Sequence, residues 1–220
     1  MDRKVAIFQH VPNEPAGYFE TIFQEKNISY EYIHIYETNE IPRLTGTTHL
    51  LFMGGPMSVN NEKELPWLVQ EKELIRRSTK DRRKVLGICL GAQLIASAFG
   101  GKVYPFVKET GWHTLTREPD ATGAFGKFPE QFRVFQLHGE TFTIPYGGTR
   151  LARGSAVKNQ ALRIHNATGL QFHLEMTEPI IRDWSKDLRK HQREMIARNT
   201  PRFIAESNRL CRIVAEEFLC

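Results

Sequence analysis

The sequence predicts an α/β fold on three observations. In the first hundred residues, short apolar runs typical of buried strands alternate with segments in which apolar residues recur at helical spacing. From residue 102 to residue 172, short β-like segments are separated by Gly, Pro and Asn turns, which predicts antiparallel strands added to the sheet. Helical spacing returns after residue 177. We therefore expect one sheet covered by helices.

Each element is predicted from a local pattern. Strands are predicted at 5–9, 30–36, 49–53 and 84–88, and helices at 18–26, 64–78 and 91–99. Six further short strands are predicted at 103–106, 112–115, 132–137, 150–152, 161–164 and 169–172. A helix is predicted from Thr177, with Pro179 as a helix-starting proline, to about residue 197. Thr200 and Pro201 repeat this signal and predict a separate last helix.

The composition predicts a single domain over residues 1–220. Hydrophobic residues make up 40% of the chain and charged residues 25%, and the sequence shows no linker or repeat. The three cysteines, Cys89, Cys211 and Cys220, form no CxxC pair, so neither a disulfide framework nor a thiolate zinc site is expected. The sequence shows no signal-peptide pattern, and no run approaches the roughly 18 apolar residues of a membrane span. We expect a cytoplasmic protein without membrane contact.

The net charge of +5 raises the question of an acidic partner. Basic residues cluster at 76–84 and 182–198, but acids interrupt both clusters and both lie on segments with helical spacing. This pattern is typical of solvated helix faces. No aromatic-interleaved basic stripe accompanies them, so we expect no nucleic-acid binding, while docking of an acidic protein stays open.

The most informative motif is a Gly-x-Cys-x-Gly stretch centred on Cys89, between a buried strand and a helix. This arrangement is a nucleophile elbow, in which Gly87 and Gly91 permit a turn too tight for side chains. The turn exposes the residue between them at a helix N-terminus, where a thiolate is favoured and the Leu90 N–H can receive an oxyanion. The alternative is a buried core cysteine at a strand end.

A base for this thiol is predicted at His173. It ends an apolar strand and is followed two residues later by Glu175. Side chains at i and i+2 of a strand share a face, so Glu175 can orient the ring while its other nitrogen faces the thiol. Six other histidines show no carboxylate at a telling offset, and surface or core packing is the expected role for each: His10, His34, His49, His113, His165 and His191.

The elbow followed by an adjacent His-x-Glu resembles the class I (triad) glutamine amidotransferases, in the subgroup close to the amidotransferase domain of GMP synthase. The resemblance implies a flavodoxin-like three-layer sandwich with a mostly parallel central sheet, and catalysis by Cys89, His173 and Glu175. Gly54 and Gly55 look like the family's Gly-Gly-Pro loop, which completes the oxyanion hole with Leu90. The alternative for these two glycines is an ordinary turn at the end of a strand.

Further positions carry the same resemblance. Gln93, four residues after the thiol, matches a position that contacts the substrate, and backbone groups around His138 and Gly139 match the loop that holds the substrate's α-amino and α-carboxylate ends. The alternatives are a solvated Gln93 and a structural turn at His138. Leu174 stands where the family usually has proline.

The resemblance implies hydrolysis of the glutamine γ-carboxamide through a thioester on Cys89, with no cofactor and no metal. The sequence contains no ATP-binding motif such as GxxxxGK[ST], so either a separate synthetase subunit or another acceptor uses the ammonia, or the protein is a free-standing hydrolase. Two alternatives stay open: a γ-glutamyl peptidase using the same three residues, and a non-catalytic regulatory domain. The oligomeric state is not predicted.

Overall fold

The computed structural model describes residues 3–220 and contains nine strands and six α-helices. The strands are β1 Lys4–Gln9, β2 Ser29–His34, β3 His49–Phe52, β4 Lys84–Ile88, β5 Val103–Arg117, β6 Gln131–Phe142, β7 Thr149–Arg153, β8 Ala161–Ile164 and β9 Ala167–Leu170. The helices are α1 Tyr18–Glu25, α2 Ile35–Thr38, α3 Trp67–Lys80, α4 Leu90–Ala98, α5 Glu178–Trp184 and α6 Lys190–Leu219, with a short 3-10 helix at Gly123–Lys127. Met1 and Asp2 lie outside the described residues.

All nine strands form one sheet in the order β2-β1-β3-β4-β9-β8-β7-β5-β6. The five strands from β2 to β9 pair in parallel. The remaining pairs are antiparallel, as predicted for the segments after residue 102, but β9 differs because its other edge pairs in parallel with β4. The carboxyl ends of β3, β4 and β9 therefore meet at one edge of the parallel half, which is where open α/β sheets place ligands.

Side chains alternate between the two faces of the sheet and build two cores. On one face, Ile7 and Leu51 pack with Phe19 of α1 and Leu210 of α6. On the other face, Phe8 and Leu50 pack with residues of α3 and α4, including Trp67, Leu94 and Ile95. Because both faces are covered, the strands of the parallel half read as continuous apolar runs in the sequence. The predicted α/β fold with helices on both sides of the sheet is confirmed.

The helical region after residue 177 differs from its prediction. The first helix ends at Trp184, where the Ser185 hydroxyl donates to the Ile181 carbonyl (2.6 Å) and so satisfies the last turn. A new helix begins at Lys190, where the Gln192 side chain accepts the Arg189 N–H (3.2 Å). This break replaces the continuous helix expected to residue 197.

The second half of this region is one 30-residue helix rather than two. Pro201 lies inside α6 and is exposed, so its ring points away from the core. The preceding Thr200 donates to Ile196 O (2.8 Å) and accepts from Trp112 Nε1 of β5 (3.1 Å). This anchoring to the sheet keeps the helix continuous across a proline that would break an isolated one.

Several strand predictions also need correction. The strand predicted at 169–172 ends at Leu170, and the one predicted at 132–137 extends over Gln131–Phe142. The predicted strands at 103–106 and 112–115 are one strand, β5, whose pairing with β6 shifts between Pro105 and Glu109. This irregularity interrupts the alternation of buried and exposed residues along β5. The sequence pattern therefore predicts two short strands instead of one. The strand predicted at 30–36 ends at His34, because Ile35 turns into the short α2.

The first basic cluster lies on the end of α3 and the turn that follows it. Arg77, Lys80 and Arg82 are exposed, as expected for a solvated face. Arg76 differs, because its Nη1 donates to the Ala98 carbonyl of α4 (3.1 Å). Within residues 3–220, no helix combines the length and apolar character needed to cross a membrane.

Candidate active site

Cys89 lies between β4 and α4 in a backbone conformation that is rare for a residue with a side chain, with φ 51° and ψ −103°. Hydrogen bonds on both sides fix this turn: Cys89 N donates to Leu170 O (2.7 Å) and Gly91 N donates to Met53 O (3.2 Å). A strained backbone persists only where its surroundings determine it, and such positions concentrate at functional sites. Cys89 is 6% exposed.

The two flanking glycines are required by close packing. A Cβ atom on Gly87 would overlap the backbone of Gly91, and a Cβ on Gly91 would overlap the carbonyl of Phe52 in β3. Both obstacles are main-chain atoms, which cannot move aside as a flexible side chain could. The sequence pattern Gly-x-Cys-x-Gly therefore corresponds to a real steric requirement at this strand-to-helix turn.

His173 and Glu175 follow β9 and are joined directly. The His173 Nδ1–H donates to Glu175 Oε1 (2.6 Å), and the two side chains are 1% and 2% exposed. The main chain of His173 makes an isolated antiparallel bridge to Phe135 in β6, with N–H donation in both directions (2.9 and 3.4 Å). The His173 Nε2 is buried and has no hydrogen-bond partner among residues 3–220.

The charge state of His173 is set by its neighbours. Burial by itself lowers the pKa of His173, but the charge of Glu175, with a further contribution from Cys89, raises that pKa well above its usual value. The structure thus brings Cys89, His173 and Glu175 together, with the thiol near enough to the ring to affect its protonation.

The Cys89 sulfur has two polar neighbours. The Gln171 Nε2 donates to it (3.7 Å), and the thiol faces the Leu137 carbonyl (3.9 Å). The orientation of the Gln171 amide is fixed because its Oε1 accepts from Gln93 Nε2 (3.2 Å). Gln93 is 4% exposed, so the alternative of a solvated Gln93 is wrong. Gln93 makes no direct hydrogen bond to the thiol and is connected to it by the Gln171 side chain.

The predicted oxyanion donors lie around the thiol. Leu90 N–H begins α4, and neither it nor the Gly55 N–H donates to any acceptor within residues 3–220. A Cβ on Gly55 would approach Leu90 Cδ2 within 3.0 Å, so the two residues are in close contact. Gly54 O accepts a hydrogen bond from His10 Nδ1 (3.0 Å), and His10 is not among the residues that line the cleft described below.

An open cleft of about 660 Å³ lies in front of the thiol, a size within the roughly 300–1,000 Å³ of small-molecule sites. It is lined by Gly55, Pro56, Met57, Ser58, Asn61, Cys89, Gln93, Lys108, Leu137, His138, Gly139 and Glu140. Five of the predicted site residues are in this set. Gly54, Leu90, His173 and Glu175 are not among the lining residues.

The side chain of His138 points away from solvent and is 1% exposed. Its Nε2 donates to Glu109 Oε2 (3.1 Å), and its Nδ1 donates to Glu140 O (3.0 Å). Gln160 Nε2 also donates to Glu109 Oε2 (2.6 Å). The buried network fixes the 137–140 segment, whose residues line the cleft.

Comparison with known proteins identifies the family. The profile of the family "glutamine amidotransferase class-I" matches residues 20–179, which include Cys89, His173 and Glu175. The chain belongs to this family. Over 151 residues it is 34% identical to the GMP synthase [glutamine-hydrolyzing] of Christiangramia forsetii, a match that covers 66% of this chain and 28% of the relative. The chain thus spans little more than a quarter of that enzyme.

Other similar proteins match along nearly the whole chain. A glutamine amidotransferase-like protein of Salmonella typhimurium, YfeJ, is 27% identical over 221 residues, covering 97% of this chain and 88% of its own. A crystal structure of a glutamine amidotransferase from Thermotoga maritima superposes with a TM-score of 0.92 at 29% identity, covering 100% of this chain and 99% of the other. The crystal structure of a glutamine amidotransferase from Methylobacillus flagellatus superposes with a TM-score of 0.90 at 28% identity, covering 99% of this chain and 94% of the other.

This member of the class-I glutamine amidotransferase family carries Leu174 between His173 and Glu175. Leu174 is fully buried in the core. The His173–Glu175 hydrogen bond forms with leucine in place, because the bridge to Phe135 holds the His173 backbone. The main chain of His173 is thus restrained by its bridge to Phe135 of β6.

Sequence reasoning missed several buried polar residues around the site. Gln171, Glu109 and Gln160 have no motif, and only their hydrogen bonds show their relation to Cys89 and His138. His10 was expected to be a packing residue, yet it joins Glu71 to the glycine loop. No local spacing links these residues, because the contacts join distant parts of the chain.

Proposed function

We propose that this protein hydrolyses the γ-carboxamide of glutamine at Cys89 and releases ammonia for a separate acceptor or synthetase. The observation that carries the proposal is the placement of Cys89 on a strained elbow beside a buried His173–Glu175 pair, facing an open cleft. Family membership supports this reaction over an unrelated use of the thiol.

The proposed reaction has two half-reactions. The Cys89 thiolate attacks the γ-carbonyl carbon, and the oxyanion is held by Leu90 N–H and an N–H of the Gly54–Gly55 loop. The C–N bond breaks as protonated His173 Nε2 transfers its proton to the leaving nitrogen, which departs as ammonia and leaves a γ-glutamyl thioester. His173 then takes a proton from water, which attacks the thioester; the C–S bond breaks, giving glutamate and the thiolate.

Glu175 acts through His173 in this scheme. Its carboxylate accepts the Nδ1–H, fixes the tautomer that presents Nε2 to the thiol, and stabilises the imidazolium. Gln93 is proposed to contact the substrate, and the segment of His138 and Gly139 is proposed to hold the α-amino and α-carboxylate ends of the substrate. His138 and Gly139 would act through the backbone of their segment, because the His138 ring is turned inward.

The direct test is turnover by the purified protein with glutamine and with a set of γ-glutamyl peptides. We expect glutamine to be hydrolysed and the Cys89→Ala variant to release no ammonia and to resist labelling by diazo-oxo-norleucine. Efficient cleavage of the peptides with poor use of glutamine would replace the proposal with a γ-glutamyl peptidase. Turnover or labelling in Cys89→Ala would overturn both.

A further inference from the structure

A buried charged pair lies behind the glycine loop, outside the proposed Cys89–His173–Glu175 arrangement. His10 follows β1 and Glu71 lies on α3, and both side chains are fully buried. His10 Nε2 lies 3.2 Å from each oxygen of the Glu71 carboxylate, and its ring stacks on Trp67, one helical turn before Glu71. Such a pair is costly to bury and is rarely a gain for stability alone.

The second nitrogen of the ring is bonded to the glycine loop. His10 Nδ1 lies 3.0 Å from Gly54 O, which can only accept a hydrogen bond. Because the Glu71 carboxylate also accepts, both ring nitrogens donate and His10 is an imidazolium. Burial lowers the pKa of His10, but the charge and hydrogen bond of Glu71 outweigh burial, and the net pKa is raised.

The geometry of one peptide bond connects this pair to the cleft. Within residues 3–220 no peptide bond is cis, so the Gly54 C=O and the Gly55 N–H point in opposite directions. Holding the carbonyl against His10 turns the Gly55 N–H away from His10. Gly55 lines the cleft beside Cys89 and contacts Leu90, and its N–H has no acceptor among these residues.

We propose that His10 and Glu71 are positioning residues that hold the Gly54–Gly55 peptide so that the Gly55 N–H faces the oxyanion formed at Cys89. A cationic donor on the carbonyl also polarises the peptide and strengthens its N–H as a donor. Neither residue touches substrate. The inference rests on acyl transfer at Cys89 and requires no particular amide substrate.

Two reactions of Cys89 separate this role from a general effect on folding. Acylation by p-nitrophenyl acetate forms a tetrahedral oxyanion and needs the donors, but does not need recognition of a γ-glutamyl group. Alkylation by iodoacetamide is a displacement at saturated carbon and forms no oxyanion. A weakened oxyanion donor therefore slows the first reaction and spares the second.

The decisive comparison uses two double variants of similar size and polarity. In His10→Asn/Glu71→Gln the Asn amide reaches the position of Nδ1 and keeps the bond to Gly54 O. In His10→Gln/Glu71→Gln the longer amide reaches the position of Nε2 and loses that bond. An apolar pair, His10→Phe/Glu71→Leu, keeps the stacking on Trp67 without a buried charge, and exposed His191→Phe is the control.

We expect acylation to fall about 10–100-fold in the Gln/Gln and Phe/Leu variants, since deleting an oxyanion donor outright costs about 100–1,000-fold. Alkylation should stay within about threefold of the wild type, and the Asn/Gln variant should acylate within about fivefold. Equal acylation by the Asn/Gln and Gln/Gln variants, or parallel loss of acylation and alkylation, would overturn the inference. Wild-type protein that is acylated by the ester but cleaves no γ-glutamyl amide would refute the proposed function alone.

Discussion

The Nδ1 of His173 donates to Glu175 Oε1 across 2.6 Å, in a setting where neither side chain is more than 2% exposed. This bond leaves Nε2 as the ring nitrogen available for chemistry, and that nitrogen has no other partner among residues 3–220. Because Glu175 is a main cause of the raised pKa of His173, the pair sets both the direction and the protonation of the ring.

Replacing Glu175 by Gln should lower the pKa of His173, because the neutral amide no longer stabilises the imidazolium. In the wild type, the raised pKa keeps the His173 ring protonated to higher pH. The lower pKa expected in Glu175→Gln therefore moves the alkaline limb of the kcat profile to lower pH. We expect kcat to fall about 10–100-fold. The measurement is the pH dependence of kcat for glutamine hydrolysis. Exposed Glu178→Gln is the matched control, and an unshifted alkaline limb in Glu175→Gln would contradict the assignment.

Replacing Gln171 by Met should slow reaction at the thiol, because Gln171 Nε2 donates to Cys89 Sγ (3.7 Å). One hydrogen bond contributes about 0.5–1.5 kcal/mol, so iodoacetamide alkylation of Cys89 at pH 7 should fall about 2–10-fold. The rate is followed by mass spectrometry, with exposed Gln24→Met as the control. An unchanged rate would show that Gln171 only packs against the sulfur.

Replacing Gly87 by Ala should destabilise the elbow, because the added Cβ would overlap the Gly91 backbone. Overpacking of this kind costs about 1–3 kcal/mol, or several degrees in Tm for a chain of this length. Gly139→Ala is the control, since a Cβ there meets nothing within 4 Å. Calorimetry that gave both variants the same Tm would show that the turn can relax.

His49 should make stability depend on pH in the acid range. Burial, together with the charges of Arg3 and Lys84, lowers the pKa of His49 to about 4. A depressed pKa gives stability that is present above the ordinary value near 6.5 and is lost as the pH falls toward 4. His49→Asn should reduce this loss by about 1–2 kcal/mol, allowing for solvent screening of the exposed cations.

The measurement for His49 is urea unfolding at pH 7, 5.5 and 4.5. Exposed His191→Asn serves as the control and should follow the wild-type dependence. If the free energy of unfolding of His49→Asn declines with falling pH as steeply as that of the wild type, a group other than His49 causes the loss of stability at acid pH.

The proposed reactive residues could be predicted because their signals are local. The Gly87-x-Cys89-x-Gly91 pattern reflects contacts within one turn, and His173 and Glu175 lie two residues apart and bond directly, although they follow β9 rather than extend it. The supporting pair could not be predicted in this way. His10 and Glu71 lie 61 positions apart, and nothing in either neighbourhood marks them as partners.

The errors in the fold also have physical causes. Pro201 is a reliable signal against an isolated helix, but Trp112 of β5 holds the preceding turn of α6 in place. The shifted pairing between Pro105 and Glu109 hides the continuity of β5 in the sequence. In both cases a contact with an element distant in the sequence determines the local structure, whereas a sequence pattern depends only on neighbouring residues.

The most direct test of the account is detection of the intermediate on Cys89. The protein would be mixed with glutamine, quenched with acid during turnover, digested and analysed by mass spectrometry. We predict a γ-glutamyl thioester on the peptide that contains Cys89, absent from Cys89→Ala and lost on treatment with hydroxylamine. Steady release of ammonia from glutamine with no adduct on that peptide, or turnover that survives in Cys89→Ala, would contradict it.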